Sequence, residues 1–261
     1  MKIHVFASGS SGNCMLVSEG DSSLLIDAGI SMRRVESSLR QAGLLIQDIG
    51  GVLITHEHSD HISGLKMLLK YYDLPVYAPH TVAARLCGMM PEAEEHIRVI
   101  PVGEEFPVDS LRVRAFHTPH DTDESVGYRV EGERVFALAT DMGHVSEEVL
   151  SGLLGADAAL IEANHDPDML VDGPYPFYLK RRILSDHGHL SNPDCAELAG
   201  KLAESGTSTL ILGHLSRENN RPELALAACE QALAGSGVRL CCAPVYGHLS
   251  LEVERRIPCF R

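Results

Sequence analysis

Short apolar runs and amphipathic stretches alternate along the whole chain, and their periods predict its secondary structure. Apolar, β-branched runs bounded by Gly, Ser, Asp or Pro are typical of strands. In the first 140 residues they predict strands at Ile3–Ala7, Cys14–Val17, Ser23–Asp27, Gly51–Thr55, Pro75–Ala78, Arg98–Pro101, Leu111–Phe116, Val126–Val130 and Val135–Ala139. Helical spacing of apolar positions predicts helices at Ser31–Ala42, Ile62–Tyr72 and Thr81–Met89.

The second half of the chain repeats this alternation. Its apolar runs predict strands at Ala158–Glu162, Thr209–Leu212, Arg239–Cys242 and His248–Val253. Helices are predicted at Phe177–Leu184, from Asn192 to just before Gly206, and at Pro222–Ala234. Proline at the first helical position and glycine beyond the end support the last two. Two packed sheets with helices outside would satisfy this grouping.

No linker interrupts the pattern, so we expect a single domain over residues 1–261. The 261 residues are 44% hydrophobic and 22% charged, which is ordinary for a soluble globular protein. No apolar run approaches the ~20 residues that a membrane helix needs, so we expect no membrane association. The first residues lack the apolar segment of a signal peptide, and we therefore expect a cytoplasmic protein.

The cysteines agree with a reducing compartment. Their number is odd, and no two of them have the spacing of a CxxC pair. We expect small buried thiols at Cys14, Cys87, Cys195, Cys229, Cys241, Cys242 and Cys259.

Net charge narrows the range of partners. The chain carries a formal charge of −14 and shows no long basic stretch. An acidic chain is a poor non-specific binder of nucleic acid, so charge alone favours a small substrate. Metal-binding carboxylates would supply part of the acidic excess. The 14 histidines, in a chain without tryptophan, make metal binding the next question.

The densest group of histidines follows a predicted strand. The segment Thr55-His56-Glu57-His58-Ser59-Asp60-His61 offers four potential ligands within six residues. On an extended chain His56 and His58 point the same way, whereas Asp60 and His61 fall where the chain turns into a helix. One short loop can therefore serve two metal ions ~3.5–4 Å apart.

This HxHxDH run after an apolar strand resembles the signature of the metallo-β-lactamase fold, and further segments follow in that family's order. Asp27 in Leu25-Ile26-Asp27-Ala28-Gly29 resembles the first motif, an aspartate that orients the ligand loop. Asp141 after Thr140 resembles the bridging aspartate, and His214 resembles the last ligand. The resemblance implies an α/β protein with the metallo-β-lactamase αββα sandwich, two mixed β-sheets flanked by helices.

One ligand position can be filled by either of two histidines in the segment Phe116-His117-Thr118-Pro119-His120-Asp121. Both precede Gly127-Tyr128, which resembles the GY pair of phosphodiesterase-type members. In those members the ligand precedes the glycine by about six or seven residues. The resemblance therefore favours His120, and it leaves His117 as a surface or supporting histidine.

Finer matches resemble the YycJ/WalJ-type group of this family. They are Ala7-Ser8-Gly9-Ser10-Ser11-Gly12-Asn13, His120-Asp121, Glu162-Ala163-Asn164-His165-Asp166, Ser185-Asp186-His187-Gly188-His189-Leu190-Ser191-Asn192 and Leu215-Ser216-Arg217-Glu218-Asn219-Asn220. Members of this group are described as 5′-to-3′ DNA exonucleases. The resemblance thus implies a DNA substrate, entered at a single-stranded 5′ end, and it leaves the oligomeric state open.

The resemblance also implies a dinuclear centre. His56, His58 and His120 would hold one metal ion. Asp60, His61 and His214 would hold a second, with Asp141 between the two. Nitrogen and oxygen ligands without cysteine suit two divalent transition-metal ions, zinc or manganese, with iron also fitting. An activated water would attack phosphorus, and Asp60 would orient it.

A leaving alkoxide needs a proton, and two histidines of one segment can donate it. His189 is the candidate for donating the proton or gripping the phosphate, and His187 is the alternative. The alternative is a structural role, in which these histidines only shape the chain before the helix that begins at Asn192. We expect Asp27, His165 and His187 to support the ligands from behind.

Two polar turns are candidates for substrate binding. Ser10, Ser11 and Asn13 lie in a turn rich in hydrogen-bond donors, which can cradle an anion or form an ordinary hairpin loop. Ser216 and Asn219 follow His214 closely and are candidates for contacting a terminal phosphate.

The motifs predict a dinuclear metal-dependent phosphodiesterase that acts on nucleic acid, as a 5′-to-3′ DNA exonuclease. The alternative is a small-molecule phosphodiesterase for cyclic phosphates or phosphonates, or a thioester hydrolase of the same fold. The acidic charge favours the small substrate, whereas the later motif blocks favour DNA.

Overall fold

The computed structural model describes residues 1–253, so the predicted thiol of Cys259 lies outside the described residues. The strands are β1 Lys2–Ala7, β2 Cys14–Glu19, β3 Ser22–Ile26, β4 Gly51–Leu53, β5 Val76–Ala78, β6 Ile97–Val99, β7 Glu105–Val108, β8 Leu111–His117, β9 Val126–Glu131, β10 Val135–Ala139, β11 Ala158–Glu162, β12 Thr209–Gly213, β13 Arg239–Cys242 and β14 Leu249–Glu252. The helices are α1 Met32–Gln41, α2 Ser59–Ile62, α3 Leu65–Tyr71, α4 His80–Met89, α5 Glu147–Leu153, α6 Pro167–Asp172, α7 Phe177–Ile183, α8 Asn192–Glu204 and α9 Pro222–Ala232.

The strands form two seven-stranded sheets of similar design. The first has the order β14-β1-β2-β3-β4-β5-β6, and the second has the order β13-β12-β11-β10-β9-β8-β7. The pairs from β3 to β6 are parallel, and so are those from β10 to β13. The other pairs of both sheets are antiparallel. Each sheet is therefore mixed, with its parallel strands gathered on one side.

Three apolar cores separate four layers of structure. Alternation along β2 shows how: Leu16 points to the core beneath α1 and α3, whereas Met15 and Val17 point to the core between the sheets. Tyr128 and Phe136 of the second sheet belong to that central core. A third core joins the second sheet to α5, α8 and α9. The layering of helices, sheet, sheet and helices confirms the predicted αββα sandwich.

Most predicted elements lie within a few residues of their predicted bounds, but three observed elements have no counterpart among them. Strand β7 is at the edge of its sheet and contains Pro107, a residue that strand patterns exclude except at edges. Helices α5 and α6 are short, and each begins at a side-chain cap, Ser146 or Asp166. Such short elements carry too little periodicity to be predicted from apolar spacing.

The helix predicted at Ile62–Tyr72 is divided. Helix α2 begins earlier, at Ser59, and α3 begins only at Leu65. Between them Gly64 approaches the backbone so closely that an added Cβ would lie 1.9 Å from the carbonyl oxygen of Ile30. The early start of α2 places the second part of the histidine run on a helical turn.

The described cysteines are free thiols, three of them buried and three half-buried: Cys14, Cys195 and Cys229, and Cys87, Cys241 and Cys242. Within residues 1–253, no helix has both the length and the apolar character that crossing a membrane requires.

Candidate metal centre

The densest histidine run lies where the chain leaves the first sheet after β4. His58 directly precedes α2, and Asp60 and His61 occupy the first turn of that helix. His56 and His61 are wholly buried, with ring centroids 4.0 Å apart. The change from extended loop to helix therefore delivers four side chains to one region.

Residues from distant segments complete two adjacent groups of donor atoms. In the first group, side-chain nitrogens of His56, His58 and His120 lie within 4.8 Å of one another. In the second, donor atoms of Asp60, His61 and His214 lie within the same distance. His120 follows β8 and His214 follows β12, so only the packing of the two sheets brings them to the histidine run.

Asp141 lies between the two groups. Its carboxylate oxygens are 3.4 Å from Nε2 of His61, 3.5 Å from Nε2 of His214 and 3.8 Å from Nε2 of His120. Burial favours the neutral acid, but the charges of His214 and His61 outweigh it and hold the pKa of Asp141 well below its usual range. This carboxylate thus approaches members of both groups, as a bridging ligand must.

Three residues of this region have a left-handed backbone. The angle φ is 59° at Asp27, 57° at Asp141 and 55° at His214. Each follows the end of a strand, β3, β10 or β12. Residues other than glycine adopt this backbone conformation at a cost of order 1 kcal/mol or more, so the surrounding structure must hold it in place. Among residues 1–253, Asp109 is the one other non-glycine residue with positive φ.

The donor set fits divalent transition-metal ions. Oδ2 of Asp141 and Nε2 of His214 are buried and have no hydrogen-bond partner among the described residues. Nε2 of His56 is 3.0 Å from Nδ1 of His58, so two imidazole nitrogens face each other. Buried polar atoms are normally partnered. Bound cations would satisfy these converging lone pairs, and nitrogen with carboxylate oxygen suits zinc, manganese or iron.

Asp27 supports the centre from behind. Its Oδ2 accepts a 2.7 Å hydrogen bond from Nδ1 of His61, and its Oδ1 accepts one from the backbone N–H of Thr55 at 2.9 Å. These bonds fix the ring of His61 and leave its Nε2 directed at the centre. Burial would lower the pKa of His61, but Asp27 and Asp141 outweigh it and raise that pKa to about 10.

Asn13 attaches the predicted anion-binding turn to the ligand loop. Its amide nitrogen lies 3.0 Å from Nε2 of His61 and 3.3 Å from Oδ2 of Asp60. Its Oδ1 accepts a hydrogen bond from the backbone N–H of Gly9 at 2.9 Å. Asn13 is therefore buried against the second group of donors rather than open to solvent.

Glu162, a buried carboxylate that sequence reasoning did not single out, organises the opposite side of the centre. Its Oε1 accepts hydrogen bonds from Nδ1 of His189 at 2.8 Å and Nδ1 of His214 at 2.9 Å. Its Oε2 accepts from the backbone N–H groups of Met142 and Leu190. Burial would raise the pKa of Glu162, but His189 and His214 outweigh it and lower that pKa to about 2. The sequence feature that could have identified Glu162 is a charged residue at the end of an apolar strand.

The two candidate proton donors have different surroundings. His189 is half-buried, and its ring centroid lies 5.3 Å from the rings of both His120 and His214. Its bond to Glu162 occupies Nδ1, so Nε2 is the nitrogen available to a substrate. His187 is exposed and belongs to none of the donor groups. The structure thus brings His189, and not His187, to the centre.

His165 is buried, and neither of its ring nitrogens has a hydrogen-bond partner among the described residues, so it holds none of the predicted ligands by a hydrogen bond. Its backbone carbonyl accepts a bond from the N–H of Asn192, at the start of α8. Burial lowers the pKa of His165, which keeps the imidazole neutral.

The structure separates the two histidines between which the sequence left a choice. His117 is half exposed, and its Nδ1 contacts a carboxylate oxygen of Glu148 at 3.1 Å. His120 is buried, with its ring centroid 5.1 Å from that of His56, and its Nδ1 donates to the carbonyl of Gly188 at 3.3 Å. His120 is thus the histidine of this pair that reaches the centre.

Ser216 and Asn219, the other predicted substrate contacts, are buried and bonded to each other. Oγ of Ser216 accepts hydrogen bonds from the backbone N–H and the side-chain amide of Asn219. The side-chain Oδ1 of Asn219 has no hydrogen-bond partner among the described residues. Their mutual bonds shape the turn that follows His214.

Positive charge gathers beside the exposed residues Ser10 and Ser11. Arg217 donates a hydrogen bond to Oγ of Ser11 at 3.1 Å. The guanidinium carbons of Arg217 and Arg34 lie 4.7 and 4.4 Å from the ring centroid of Tyr246. No salt bridge joins either arginine to a carboxylate in the part of the chain that the structure describes. The surface around Ser10 and Ser11 is therefore locally basic, although the chain as a whole is acidic.

Comparison with known proteins gives matches over most of the chain. The family model described as "Beta-lactamase superfamily domain" matches residues 23–215. The chain is 41% identical to "Exodeoxyribonuclease YycJ" of Bacillus anthracis over 237 residues, which cover 89% of each protein. It is 38% identical to "Exodeoxyribonuclease WalJ" of Streptococcus pneumoniae serotype 2 over 230 residues, 86% of this chain and 85% of that protein.

Solved structures show the same fold at low sequence identity. The metallo-beta-lactamase fold protein YhfI from Bacillus subtilis superimposes with a TM-score of 0.75 at 17% identity, covering 96% of this chain and 99% of that one. Zn(2+)-bound PqqB from Methylobacterium extorquens superimposes with a TM-score of 0.72 at 19% identity, covering 97% and 100%.

Proposed function

This chain belongs to the beta-lactamase superfamily, in its YycJ/WalJ group, and we propose that it is a metal-dependent exodeoxyribonuclease. In this proposal it hydrolyses phosphodiester bonds of single-stranded DNA from the 5′ end. The observation that carries the proposal is the convergence of two groups of donor atoms on Asp141.

Seven side chains would hold two metal ions. His56, His58 and His120 would hold one. Asp60, His61 and His214 would hold the other, with Asp141 shared. Zinc or manganese, or else iron, would supply Lewis-acid stabilisation of the phosphoryl oxygens and lower the pKa of the attacking water. In addition, the charge of the ions would offset the acidic carboxylates where a polyanion must bind.

Asp60 would orient the attacking water, and His189 would donate a proton to the leaving oxygen. Burial would raise the pKa of Asp60, but the imidazole of His214, whose Nε2 lies 3.7 Å from Oδ2 of Asp60, helps to lower that pKa. The carboxylate is therefore ionised and can accept a hydrogen bond from the attacking water. His189 is held through Nδ1 by Glu162, which directs Nε2 outward. A proton on Nε2 would pass to the leaving oxygen, because an alkoxide is a poor leaving group without one.

The exposed serines with Arg217 form the proposed contact for the terminal phosphate. Ser10 and Ser11 present hydroxyl groups and backbone donors, and the arginine adds a cation without a carboxylate partner among residues 1–253. In contrast, Asn13, Ser216 and Asn219 are buried, so we propose that they shape this contact rather than touch the substrate.

Two wider expectations remain proposals. Strand β14, close to the end of the described residues, pairs with β1, which supports a single domain over residues 1–261. The free thiols among the described cysteines support a cytoplasmic location, because reducing compartments keep thiols free.

A small-molecule phosphodiesterase or thioester hydrolase of this fold is the second candidate, and the net charge of −14 favours it. The two candidates differ in substrate. We expect the metal-loaded protein to degrade a 5′-phosphorylated single strand, whereas hydrolysis of bis(p-nitrophenyl)phosphate without any action on DNA would favour the small substrate.

One pair of variants tests the role of the centre. Asp141→Asn should lower the metal content and abolish hydrolysis of both substrates. Asp109→Asn is the matched control, since Asp109 has the same left-handed backbone but lies in an exposed turn. Full activity of Asp141→Asn, or of a thoroughly chelated sample, would overturn the proposed mechanism.

A further inference from the structure

Helix α7 carries its aromatic residues on the outside. Phe177 and Tyr178 are 75% and 73% exposed, and Leu184, directly after the helix, is 54% exposed. Ile183 is the buried residue of the helix. Large apolar side chains of a surface helix normally face the core. A cluster of them on the solvent side marks a binding surface.

The same helix carries three consecutive cations, Lys180, Arg181 and Arg182, in a chain of net charge −14. Lys180 donates to the carbonyl of Val171, and Arg182 pairs with Asp121. Arg181 forms no salt bridge within residues 1–253. Its guanidinium lies 5.9 Å from the ring centroid of Phe177, one helical turn away. Cation and aromatic ring thus share one exposed face.

The carboxyl end of α7 is joined directly to the metal centre. The carbonyl of Ile183 accepts a 3.0 Å hydrogen bond from the backbone N–H of His189, and the carbonyl of Gly188 accepts one from His120. A helix rises about 1.5 Å per residue, so Phe177 lies about 9 Å along the axis from Ile183. The end of α7 therefore lies beside the segment that carries His189, and Phe177 lies at the opposite end of the helix.

We propose that this face of α7 is a stacking platform for the single strand that leaves the metal centre, and the inference rests on the proposed nuclease function. Bases stack on Phe177 and Tyr178, and Arg181 pairs with a backbone phosphate. Every base has a π face, so such contacts tolerate any sequence but require unpaired bases. In a symmetric dimer this face would meet its own copy and set the cations of α7 against each other, so a polyanion fits its charge better.

The first test compares DNA with a substrate too small to reach the platform. In the metal-loaded enzyme, the double variant Phe177→Ala/Tyr178→Ala should raise KM for a single-stranded oligonucleotide by at least about 30-fold, the lower bound for the loss of two base stacks. The rate on bis(p-nitrophenyl)phosphate and the melting temperature should not change, because both side chains lie mostly in solvent. Phe177→Tyr/Tyr178→Phe should restore KM, since the rings remain.

A substrate change makes the test specific for stacking. With a strand that carries abasic sites behind the 5′ end, the wild-type enzyme should lose about as much affinity as the double variant loses with normal DNA. The double variant should be indifferent to abasic sites. Arg181→Gln should instead reduce the slope of log affinity against log salt by about 0.7, the amount expected for one phosphate contact with a single strand.

Two matched controls are present in the chain. Tyr71 is 59% exposed and has Lys70 5.5 Å from its ring centroid, yet it lies at the far end of α3. Arg239 is exposed and begins β13, at the end of the sheet opposite His214. We expect Tyr71→Ala and Arg239→Gln to leave KM and the salt slope as in the wild type.

The outcomes separate this inference from the function on which it rests. Binding of a phosphorothioate strand, which is cleaved slowly, is measured beside turnover in the same metal-loaded proteins. If the wild type binds and degrades DNA and the double variant matches it in KM and abasic sensitivity, the platform is wrong and the nuclease stands. If the wild type binds strands but cleaves none, the nuclease function is wrong. A dimer that dissociates in the double variant would make this face a chain–chain contact and overturn the inference.

Discussion

Glu162 offers the sharpest test of how the centre is held together, because one oxygen serves two histidines. Its Oε1 accepts from both His189 and His214, and no water-exposed surface remains on the side chain. The substitution Glu162→Gln keeps the shape of the side chain but removes the charge. It also turns an amide N–H group or an uncharged oxygen toward two imidazole N–H donors.

The expected loss of stability follows from the pKa. The two histidines lower the pKa of Glu162 from 4.5 to about 2 in the folded protein. At about 1.4 kcal/mol for each pKa unit, the charged form contributes about 3 kcal/mol to folding. Because the pKa is depressed on folding, this contribution is complete above pH ~4.5 and is lost as the pH falls toward 2. We therefore expect Glu162→Gln to lower the free energy of unfolding at pH 7 by about 3 kcal/mol.

The measurement is urea unfolding of the metal-free protein between pH 7 and pH 3, followed by circular dichroism because the chain contains no tryptophan. The difference between wild type and variant should shrink as the pH falls below 4.5. Glu148→Gln is a control, since Glu148 is an exposed carboxylate that also contacts a histidine, His117. Equal unfolding free energies for wild type and Glu162→Gln at pH 7 would refute the reasoning.

Three further predictions concern individual side chains of the centre. His189→Ala should keep both metal ions and lower the rate on DNA ~10²–10⁴-fold, with a smaller loss for a p-nitrophenolate leaving group, which needs no proton. An equal loss on both substrates would make His189 a phosphate contact. His120→Ala should lose a metal ion and His117→Ala should keep both, as elemental analysis would determine; the reverse result would exchange their roles. Asp27→Asn should weaken metal binding ~10–100-fold by releasing the ring of His61. Titration with zinc measures this, and an unchanged affinity would contradict the prediction.

The ligands of the histidine run could be predicted from local sequence, whereas the residues that support them are brought into place by long-range packing. His56, His58, Asp60 and His61 lie in one short run, so their spacing alone indicates a shared site. Strand bounds such as Val135–Ala139 follow from apolar runs that polar residues interrupt on both sides. These features are readable because each depends on neighbours in the sequence.

Glu162 illustrates what the pattern does not contain. In the sequence it ends an apolar strand, and its partners His189 and His214 lie 27 and 52 residues further along. Only the parallel pairing of β11 with β12 brings the end of its strand beside His214. A buried carboxylate is identified by the donors that surround it, and those donors are set by topology.

The conflict between an acidic chain and a DNA substrate is resolved by where the charges lie. Net charge is a sum over the whole surface, whereas a bound strand responds mainly to charges within about 8 Å at physiological salt. Asp60 and Asp141 belong to the proposed metal centre, where two divalent ions would outweigh their charge. Arg217 near the centre and Arg181 on α7 have no carboxylate partner in residues 1–253, so their charge remains available to phosphates. On the proposed function, the rest of the acidic surface would repel DNA, and a strand would be held only where it passes the metal centre and the proposed platform on α7. Binding should therefore weaken when the metal ions are removed, although every residue that contacts the strand is still present.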